Sequence, residues 1–530
     1  MPVVLICDPI AEEGLALLGS GAEVVDVCAC DREGLLAEIA RADALIVRSA
    51  TQIDAELINA APRLRVIARA GVGVDNIDLD AATRRGIAVV NTPTGNTVAA
   101  AEHTMAMMLA LARRIPAADA ALKSGHWAKS EAVGQQLYRK TLGIVGFGKI
   151  GQEVARRARA FEMLLLVHDP FVSEERIREH GAEPVTFDDL LQRSDIVTLH
   201  ATLTDDTHHM IGAREIELMK SGVLLVNCAR GALIDEGTLA TALVDGVIAG
   251  AALDVFEREP EPSPELLELG SVILTPHVAA STEEAQALVA REAVEQVLEV
   301  LEGGRPRWPV NVPALTREEL DVVAPYLPLA ESIGRIHAAL LSAPPERAAV
   351  YVHGPDAEDH LRIISGSFLV GLLESLTDEP VNYVNAPVVA SERGLQVSRG
   401  TATDTRGYSR YLRAEVAETG GPVGMPVAGA LLDRGEARIV EVAGFGLDLV
   451  PQGTVLLIWN ACPDRPGFVG TIGRILGDAG INILGIQVGR GVIDGAGLMA
   501  VSAAGIVERQ VLQQIRQLDA TQRLEPVSFE

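Results

Sequence analysis

Short apolar runs alternate with amphipathic stretches between Val3 and Val90. A helical pattern over 12–18 separates the first two runs. Apolar runs that alternate with helices are typical of parallel sheets that are buried on both faces. The pattern therefore predicts a parallel α/β unit, with its strands in VVLIC, EVVDV, ALIVRS, RVIARA and IAVVN.

A second α/β series follows a long apolar helix that is predicted over 96–113. Its strands are predicted in LGIV, MLLLVHD, IVTLH, VLLVNCA, AALDVF and VILTP. The spacing over 283–301 predicts one more long helix, and the prolines behind it indicate a linker. We therefore expect two Rossmann-like or flavodoxin-like parallel-sheet domains, with a boundary near residue 310 and a ligand cleft between them.

The last part of the chain has a different pattern. Residues 314–450 mix helical stretches, Gly-Pro loops and short strands, and they contain no motif with an evident chemical role. From Thr454 onwards the order of elements is βαββαβ, which predicts a small ferredoxin-like module. The predicted fold class is thus α/β, with an α+β domain and a ferredoxin-like domain at the end.

Composition and charge exclude several classes of partner. Hydrophobic residues make up 48% of the 530 residues, and the formal net charge is -27. Such a charge repels nucleic acid and anionic membrane surfaces, so we expect neither as a partner. The five cysteines lack the CxxC pairs of a metal site, so we expect no metal and a reducing, cytoplasmic location.

The clearest chemical motif is a glycine-rich turn, Gly146-Phe147-Gly148-Lys149-Ile150-Gly151, which follows a predicted strand and opens a predicted helix. In this context the glycines allow the backbone to approach a pyrophosphate at the helix N-terminus. Asp169, at the end of MLLLVHD, suits the ribose hydroxyls and repels a 2'-phosphate, which favours NAD over NADP. The alternative is a glycine-rich turn that binds no nucleotide.

Three polar residues follow predicted strands of the second sheet. Arg230 can bind a carboxylate through two parallel hydrogen bonds, and His277 is suited to acid-base chemistry near neutral pH. Glu259 can orient that imidazole and favour its charged form. Separately they could be an ion pair, a solvated acid and a strand cap, but together they suit hydride removal from a 2-hydroxy acid.

Nine stretches of sequence together carry a resemblance to the long-form members of the D-isomer-specific 2-hydroxyacid dehydrogenase family. The likeness covers nearly the whole chain and implies a catalytic set of Arg230, Glu259 and His277. The stretches are LIVRSAT, ARAGVGVDNID, NTPTGN, GIVGFGKIG, VNCARGALIDE, GAALDVFEREP, TPHVAAST, DRPG and GINI.

The resemblance also implies binding residues on both sides of the cleft. Asp254 is expected to face the nicotinamide carboxamide. Further NAD contacts are implied at Lys149, Ile150, Asp169, Thr207 and Cys228, and substrate contacts at Arg48, Ser49, Arg69, Gly71 and Asn96. Arg48 and Arg69 end two predicted strands and could hold a phosphate group, although salt bridges to the acidic excess are an alternative.

For the domains, the resemblance implies a substrate-binding domain over 1–97 and 283–310 and an NAD-binding domain over 98–282. An intervening regulatory domain over 311–451 and an ACT domain over 452–530 would follow. Asp464 and Asn482 are the positions that would bind L-serine as an effector. A purely structural dimerisation module is the alternative for the ACT domain, and a homo-oligomer, a tetramer, is implied.

We therefore expect oxidation of 3-phospho-D-glycerate to 3-phosphonooxypyruvate with NAD, at the entry to L-serine synthesis. One alternative is a glyoxylate or hydroxypyruvate reductase on the same fold. The other is a dinucleotide-sensing scaffold similar to the corepressors of this family.

Overall fold

The first sheet has five parallel strands in the order β2-β1-β3-β4-β5. The computed structural model describes residues 1–19, 21–355, 357–377, 379–420, 424–432, 435–460, 466–490 and 497–529. The first nine elements are β1 (Val3–Ile6), α1 (Glu12–Leu18), β2 (Glu23–Asp26), α2 (Arg32–Ile39), β3 (Ala44–Val47), α3 (Ala55–Asn59), β4 (Val66–Arg69), α4 (Leu79–Arg84) and β5 (Ala88–Val90). Strands β1 and β3 are buried along their whole length, as their continuous apolar runs require.

Two helices, α5 (Thr97–Ala112) and α6 (Ile115–Lys123), lead to a second sheet of seven parallel strands. Its order is β12-β11-β10-β9-β6-β7-β8, so the chain runs outward in both directions from β6 and β9. Ligands of open α/β sheets bind at such a switch point, beyond the carboxyl ends of the strands. The elements are β6 (Thr141–Val145), α7 (Lys149–Ala160), β7 (Leu164–His168), α8 (Glu174–Glu179), β8 (Glu183–Pro184), α9 (Phe187–Arg193), β9 (Ile196–Leu199), α10 (Ala213–Leu218), β10 (Val223–Asn227), a 3-10 turn (Gly231–Leu233), α11 (Glu236–Val244), β11 (Ile248–Leu253), α12 (Pro264–Leu267) and β12 (Val272–Leu274).

Helix α13 (Glu283–Leu301) returns to the first sheet and completes it. Its apolar face, which includes Val294 and Val297, shares one core with Val4 and Val66 of the sheet. The first unit is therefore built from two distant stretches of the chain, and the second unit is inserted between them.

The third unit has a six-stranded mixed sheet in the order β14-β13-β15-β16-β17-β18. Only β13 and β14 run parallel; the other neighbours are antiparallel. Its helices cover one face of the sheet and form a single core with it. The elements are α14 (Arg317–Val323), α15 (Tyr326–Leu340), β13 (Pro345–His353), a 3-10 turn (Ala357–His360), α16 (Leu361–Leu373), α17 (Ala386–Glu392), β14 (Gln396–Thr401), β15 (Tyr411–Glu418), β16 (Met425–Leu431), β17 (Ala437–Val442) and β18 (Phe445–Leu449).

The last unit is a four-stranded antiparallel sheet in the order β20-β21-β19-β22. One face packs on the third unit, because Leu457 and Ala500 lie in the same core as Leu329 of α15. The elements are β19 (Thr454–Asn460), α18 (Phe468–Asp478), β20 (Ile483–Arg490), β21 (Gly497–Ala503), α19 (Arg509–Arg516) and β22 (Thr521–Ser528).

The predicted fold class is confirmed, including the βαββαβ order of the last unit. The exact division of the chain into domains stays a prediction. No helix in the part of the chain that the structure describes is long and apolar enough to cross a membrane.

Candidate active site

The glycine-rich turn between β6 and α7 forms an open cradle. Gly146 has a φ of 90°, a conformation that glycine tolerates and most residues do not. A Cβ atom on Gly151 would lie 2.3 Å from the carbonyl oxygen of Gly146, so only glycine fits at this helix start. At Gly148 no heavy atom lies within 4 Å of the Cβ position, which leaves free space in front of the N-terminus of α7. This arrangement fits the pyrophosphate of a dinucleotide.

Asp169 lies directly beside this cradle. Its carboxylate accepts hydrogen bonds from the backbone amides of Phe147 (2.6 Å) and Phe171 (2.8 Å). Lys149 and Ile150 form the first turn of α7, where Lys149 is exposed and Ile150 packs partly into the core below. The structure therefore brings Asp169 to the cradle, at the carboxyl end of the neighbouring strand.

The other predicted cofactor residues follow strands β9 and β10. Thr207 donates a hydrogen bond from Oγ1 to the carbonyl of Thr202 (2.7 Å) and closes the turn behind β9. Cys228 follows β10, and burial raises the pKa of its thiol to about 12. It is therefore a neutral, apolar wall residue at neutral pH and not a nucleophile.

Asp254 is fully buried at the end of β11. Its carboxylate accepts hydrogen bonds from the Thr275 hydroxyl (2.6 Å) and from the amides of Val278 and Ala279 (2.9 Å each). Burial by itself raises the pKa of this carboxyl group, but these bonds and that of His103 bring it below the usual 3.8. Asp254 therefore stays ionised and holds the segment that carries His277.

His277 and Glu259 form a direct pair. His277 Nδ1 lies 2.7 Å from Glu259 Oε2, and the other carboxylate oxygen accepts from the amide of Phe256 (3.1 Å). Burial raises the pKa of Glu259, but the hydrogen bond and the charge of His277 have the larger combined effect and lower it below 4.5. The imidazole therefore has a fixed, ionised partner on Nδ1, and its Nε2 is left for a substrate.

Arg230 reaches from the second unit to the first. Its Nε donates to Asp75 Oδ2 (3.0 Å), and one terminal nitrogen donates to the carbonyl of Ala229 (2.7 Å). The other terminal nitrogen lies 2.0 Å from the Cβ position of Gly73, so a side chain there would displace the guanidinium. Arg230 thus lies in the cleft between the two sheets.

Arg69 and Arg48 bring further positive charge to this cleft. Burial lowers the pKa of Arg69 to about 10, and the charges of Arg48 and then of Arg230 contribute in the same direction. The only described hydrogen bond of the Arg69 guanidinium is to the carbonyl of Ala70 (2.9 Å), and its Nε is buried without a partner. Three arginines therefore converge, and an anion is the ligand that would compensate them.

The remaining predicted substrate residues surround these arginines. Gly71 has a φ of 155°, and a Cβ atom there would lie 2.4 Å from a terminal nitrogen of Arg69. Ser49 is exposed directly after Arg48. Asn96 precedes α5, and its Oδ1 is buried without a hydrogen-bond partner among the described residues. These positions can therefore offer polar groups to a ligand in the cleft.

The sequence did not single out three residues that support the site. Asp75 is the partner of Arg230, and Asp8 accepts hydrogen bonds from the amide of Arg48 (2.5 Å) and the hydroxyl of Thr51 (2.7 Å). His103 Nε2 lies 3.3 Å from Asp254 Oδ1. The signal for His103 was present, because it is the one histidine of a long, mostly apolar helix.

The predicted effector residues are only partly described. Asp464 lies outside the residues that the structure describes. Asn482 is exposed just before β20, and its backbone carbonyl accepts a hydrogen bond from Ala504 (2.8 Å).

Family models match three parts of the chain. Residues 105–279 match the NAD-binding domain of D-isomer specific 2-hydroxyacid dehydrogenases. Residues 322–443 match the D-3-phosphoglycerate dehydrogenase intervening domain, and residues 461–520 match the ACT domain. Together with the cradle, the fold defines an NAD-dependent dehydrogenase of 2-hydroxy acids.

Curated relatives match almost the whole chain. D-3-phosphoglycerate dehydrogenase of Synechocystis sp. is 42% identical over 95% of this chain and 90% of the relative. Those of Bacillus subtilis and Methanocaldococcus jannaschii are each 40% identical, over 97% and 98% of both chains respectively. The chain belongs to the D-3-phosphoglycerate dehydrogenase family.

Solved structures match a little over half of the chain. A glyoxylate reductase from Paecilomyes thermophila is 34% identical and covers 58% of this chain and 98% of its own, with a TM-score of 0.55. D-Lactate dehydrogenase from Aquifex aeolicus, complexed with NAD and lactic acid, is 33% identical, with a TM-score of 0.51 over 57% and 96% of the chains.

Proposed function

We propose that Arg230, Glu259 and His277 catalyse the oxidation of 3-phospho-D-glycerate to 3-phosphonooxypyruvate, the first step of L-serine synthesis. The observation that carries this proposal is the convergence of Arg48, Arg69 and Arg230 in one cleft. A substrate with a carboxylate at one end and a phosphate at the other needs cations at both ends. The names of the relatives support the same substrate.

In this mechanism His277 is the general base. Its Nε2 accepts the proton of the C2 hydroxyl as the hydride leaves C2. Glu259, 2.7 Å from Nδ1, fixes the orientation of the ring and stabilises the imidazolium that forms. Because a backbone amide also binds Glu259, the pair is held in place before the substrate arrives.

Arg230 binds the substrate carboxylate and thereby orients C2. Its Nε donates to Asp75, an exposed residue. A bidentate pair of hydrogen bonds to the substrate carboxylate would replace this ion pair between Arg230 and Asp75. Arg69, with Arg48 beside it, binds the phosphate group. Neither arginine side chain forms an ion pair with a described carboxylate, although Asp8 and Asp75 lie near enough to raise the pKa of Arg69, so both guanidinium groups are available to the phosphate.

NAD is the cofactor of this class, and the glycine cradle fits its pyrophosphate. When bound, NAD supplies the hydride acceptor. Gly146, Gly148 and Gly151 would hold the pyrophosphate, with Lys149, Ile150, Thr207 and Cys228 around the cofactor. The Asp169 carboxylate would bind the ribose hydroxyls. Asp254 would lie at the nicotinamide end of the cofactor. There its carboxylate accepts hydrogen bonds from the amides of Val278 and Ala279 and so orders the loop of His277.

We also propose that L-serine acts as an effector through Asp464 and Asn482, and that the chain assembles into a homo-oligomer, a tetramer. The match to the ACT domain supports an amino-acid effector. Addition of L-serine to an assay of the intact protein checks the effector: inhibition supports it, and unchanged turnover at millimolar serine rejects it.

The described cysteines are free thiols, which supports a reducing, cytoplasmic location.

The test of the mechanism is His277→Ala, assayed with NADH and 3-phosphonooxypyruvate. We expect turnover to fall by about 100- to 10,000-fold, because in this direction His277 donates the proton to the C2 oxygen and acid-base catalysis contributes that much. NADH binding, followed by fluorescence, should stay within twofold of the unmodified protein. The control is His353→Ala, at the end of β13 in the third unit. Turnover of His277→Ala at the level of this control would overturn the proposal.

A further inference from the structure

A second basic groove lies between the first unit and the third. Its volume is about 780 Å³, which is large enough for a small metabolite. Four arginines of the first unit line it, together with two glutamates and the segment 382–385 of the third unit. The arginines are Arg63, Arg65, Arg84 and Arg85. In a chain of net charge -27, this excess of positive charge requires an explanation.

Three of these arginines have no carboxylate partner among the described residues. Arg63 is neutralised, because its guanidinium donates three hydrogen bonds to Asp43 (2.8, 3.0 and 3.3 Å). Within the described part of the chain, the Arg65 guanidinium donates only to the carbonyls of residues 300 and 301, at the C-terminus of α13 (2.7 and 2.9 Å). Arg85 makes one long hydrogen bond to the carbonyl of Asn59 (3.4 Å), and the exposed guanidinium of Arg84 makes none to a described residue.

The two glutamates form no direct ion pair with these arginines. Glu379 and Glu392 line the opposite side of the groove and are exposed, and neither forms an ion pair with the arginines. Arg84 and Arg85 lie at the C-terminus of α4, where their positive charge stabilises the helix through its dipole, and this is an alternative reason for their presence. It does not explain why the third unit closes over them and forms a groove.

Contacts between the two units hold the groove together. The side-chain amide of Asn382 donates to the carbonyl of Gly86 (2.8 Å), and that of Asn385 donates to the carbonyl of Arg84 (3.4 Å). Gly86 has a φ of 70°, and its open Cβ side is filled by Asn382. Val384 is buried in the core of the first unit. The walls of the groove are therefore fixed on both sides.

We propose that this groove binds a small phosphorylated metabolite, with its phosphate on Arg84 and Arg85. Guanidinium groups bind phosphate through paired, charge-assisted hydrogen bonds, and unpaired ones are available for this. Arg65 adds charge, and the amide side chains of the third unit offer polar contacts to the rest of the ligand. The site is separate from the cleft of His277, and it gives the third unit a ligand.

The test is calorimetric titration of the intact protein with glycerol 3-phosphate and with inorganic phosphate. The unmodified protein should bind two equivalents of glycerol 3-phosphate per chain, one in each site. Arg84→Ser/Arg85→Ser should remove one equivalent and leave the other, and Arg69→Ala should remove the other. The variant that combines all three substitutions should bind no glycerol 3-phosphate. Weaker binding of inorganic phosphate would assign the groove to a metabolite, and equal binding would assign it to the phosphate group alone.

The control is Arg176→Ser/Arg509→Ser, which removes two exposed arginines that form no ion pair with a described residue. It should titrate like the unmodified protein. If Arg84→Ser/Arg85→Ser also keeps both equivalents, the proposal is wrong. Binding of chloride in the groove with the same affinity as phosphate at equal ionic strength would reduce the effect to charge screening and would equally overturn the proposal. Because Arg69→Ala reports on the active site alone, failure of either site is seen separately.

Discussion

The backbone at His277 shows what a single residue contributes beyond its side chain. His277 has a φ of 52°, in the left-handed region, where a residue other than glycine costs about 1 to 3 kcal/mol. Its amide is held by the carbonyl of Asp254 (2.8 Å), and the carboxylate of Asp254 holds the next two amides. The sequence identified His277 and Glu259 from their positions after strands. It could not show this conformation, because the conformation depends on a buried carboxylate elsewhere in the chain.

The pair of His277 and Glu259 gives a prediction about pH. Glu259→Gln keeps the size of the side chain and removes the charge beside Nδ1, so we expect turnover to fall about 100-fold. The lowered pKa of Glu259 means that its ionised form stabilises the native state above pH 4.5. That contribution is lost only as the pH falls through the still lower pKa of the folded protein.

The pH profile of kcat/KM checks this prediction, with Glu261→Gln as the control for an exposed carboxylate two residues away. The carboxylate of Glu259 should not titrate between pH 5 and 8. Glu259→Gln should therefore lower activity across this whole range. A variant that loses activity only at one end of the range would contradict the assigned role.

Arg69 gives a prediction about substrate choice. Loss of a hydrogen bond to a charged group costs about 1.5 to 3 kcal/mol, so Arg69→Ala should raise KM for 3-phosphonooxypyruvate about 10- to 100-fold. KM for hydroxypyruvate, which has no phosphate, should stay within twofold. Arg291→Ala on the exposed face of α13 is the control. An equal loss with both substrates would mean that Arg69 does not bind phosphate.

At the scale of elements, the sequence predicted those parts of the site that depend on local spacing. The glycine turn and Asp169 follow strands β6 and β7, and the parallel sheet brings both to the same edge. The contact between Arg230 and Asp75 joins residues 155 positions apart in two different units. No local pattern encodes it, because it depends on how the two sheets face each other.

Helix α7 gives a prediction about the cofactor. In Gly151→Ala the new methyl group would lie 2.3 Å from the carbonyl oxygen of Gly146, so the helix start must move away from the cradle. We expect NADH affinity to fall at least about tenfold, which corresponds to 1.4 kcal/mol. Fluorescence titration with NADH measures this affinity.

Gly470→Ala in α18 is the matched control, because no heavy atom lies within 4 Å of its Cβ position. Alanine there should stabilise the helix by about 0.5 to 1 kcal/mol and leave NADH affinity unchanged. Unchanged affinity in Gly151→Ala would mean that the cradle does not hold the cofactor.

At the scale of the whole molecule, the order of elements predicted the four units, but it did not predict how they contact one another. Residues 382–385 of the third unit pack against the first unit, and the last sheet shares a core with α15. These contacts connect the C-terminal half of the chain to α4, which follows the loop that carries Asp75. They arise from side chains whose partners are hundreds of residues away, so periodicity could not reveal them.

The most direct test of the central claim is NADH consumption by the intact protein with three substrates at equal concentration: 3-phosphonooxypyruvate, hydroxypyruvate and glyoxylate. The arrangement of Arg48, Arg69 and Arg230 predicts that kcat/KM is at least about tenfold higher for the phosphorylated substrate, since one charged hydrogen bond is worth that much. Equal or greater kcat/KM with hydroxypyruvate or glyoxylate would contradict the proposed substrate.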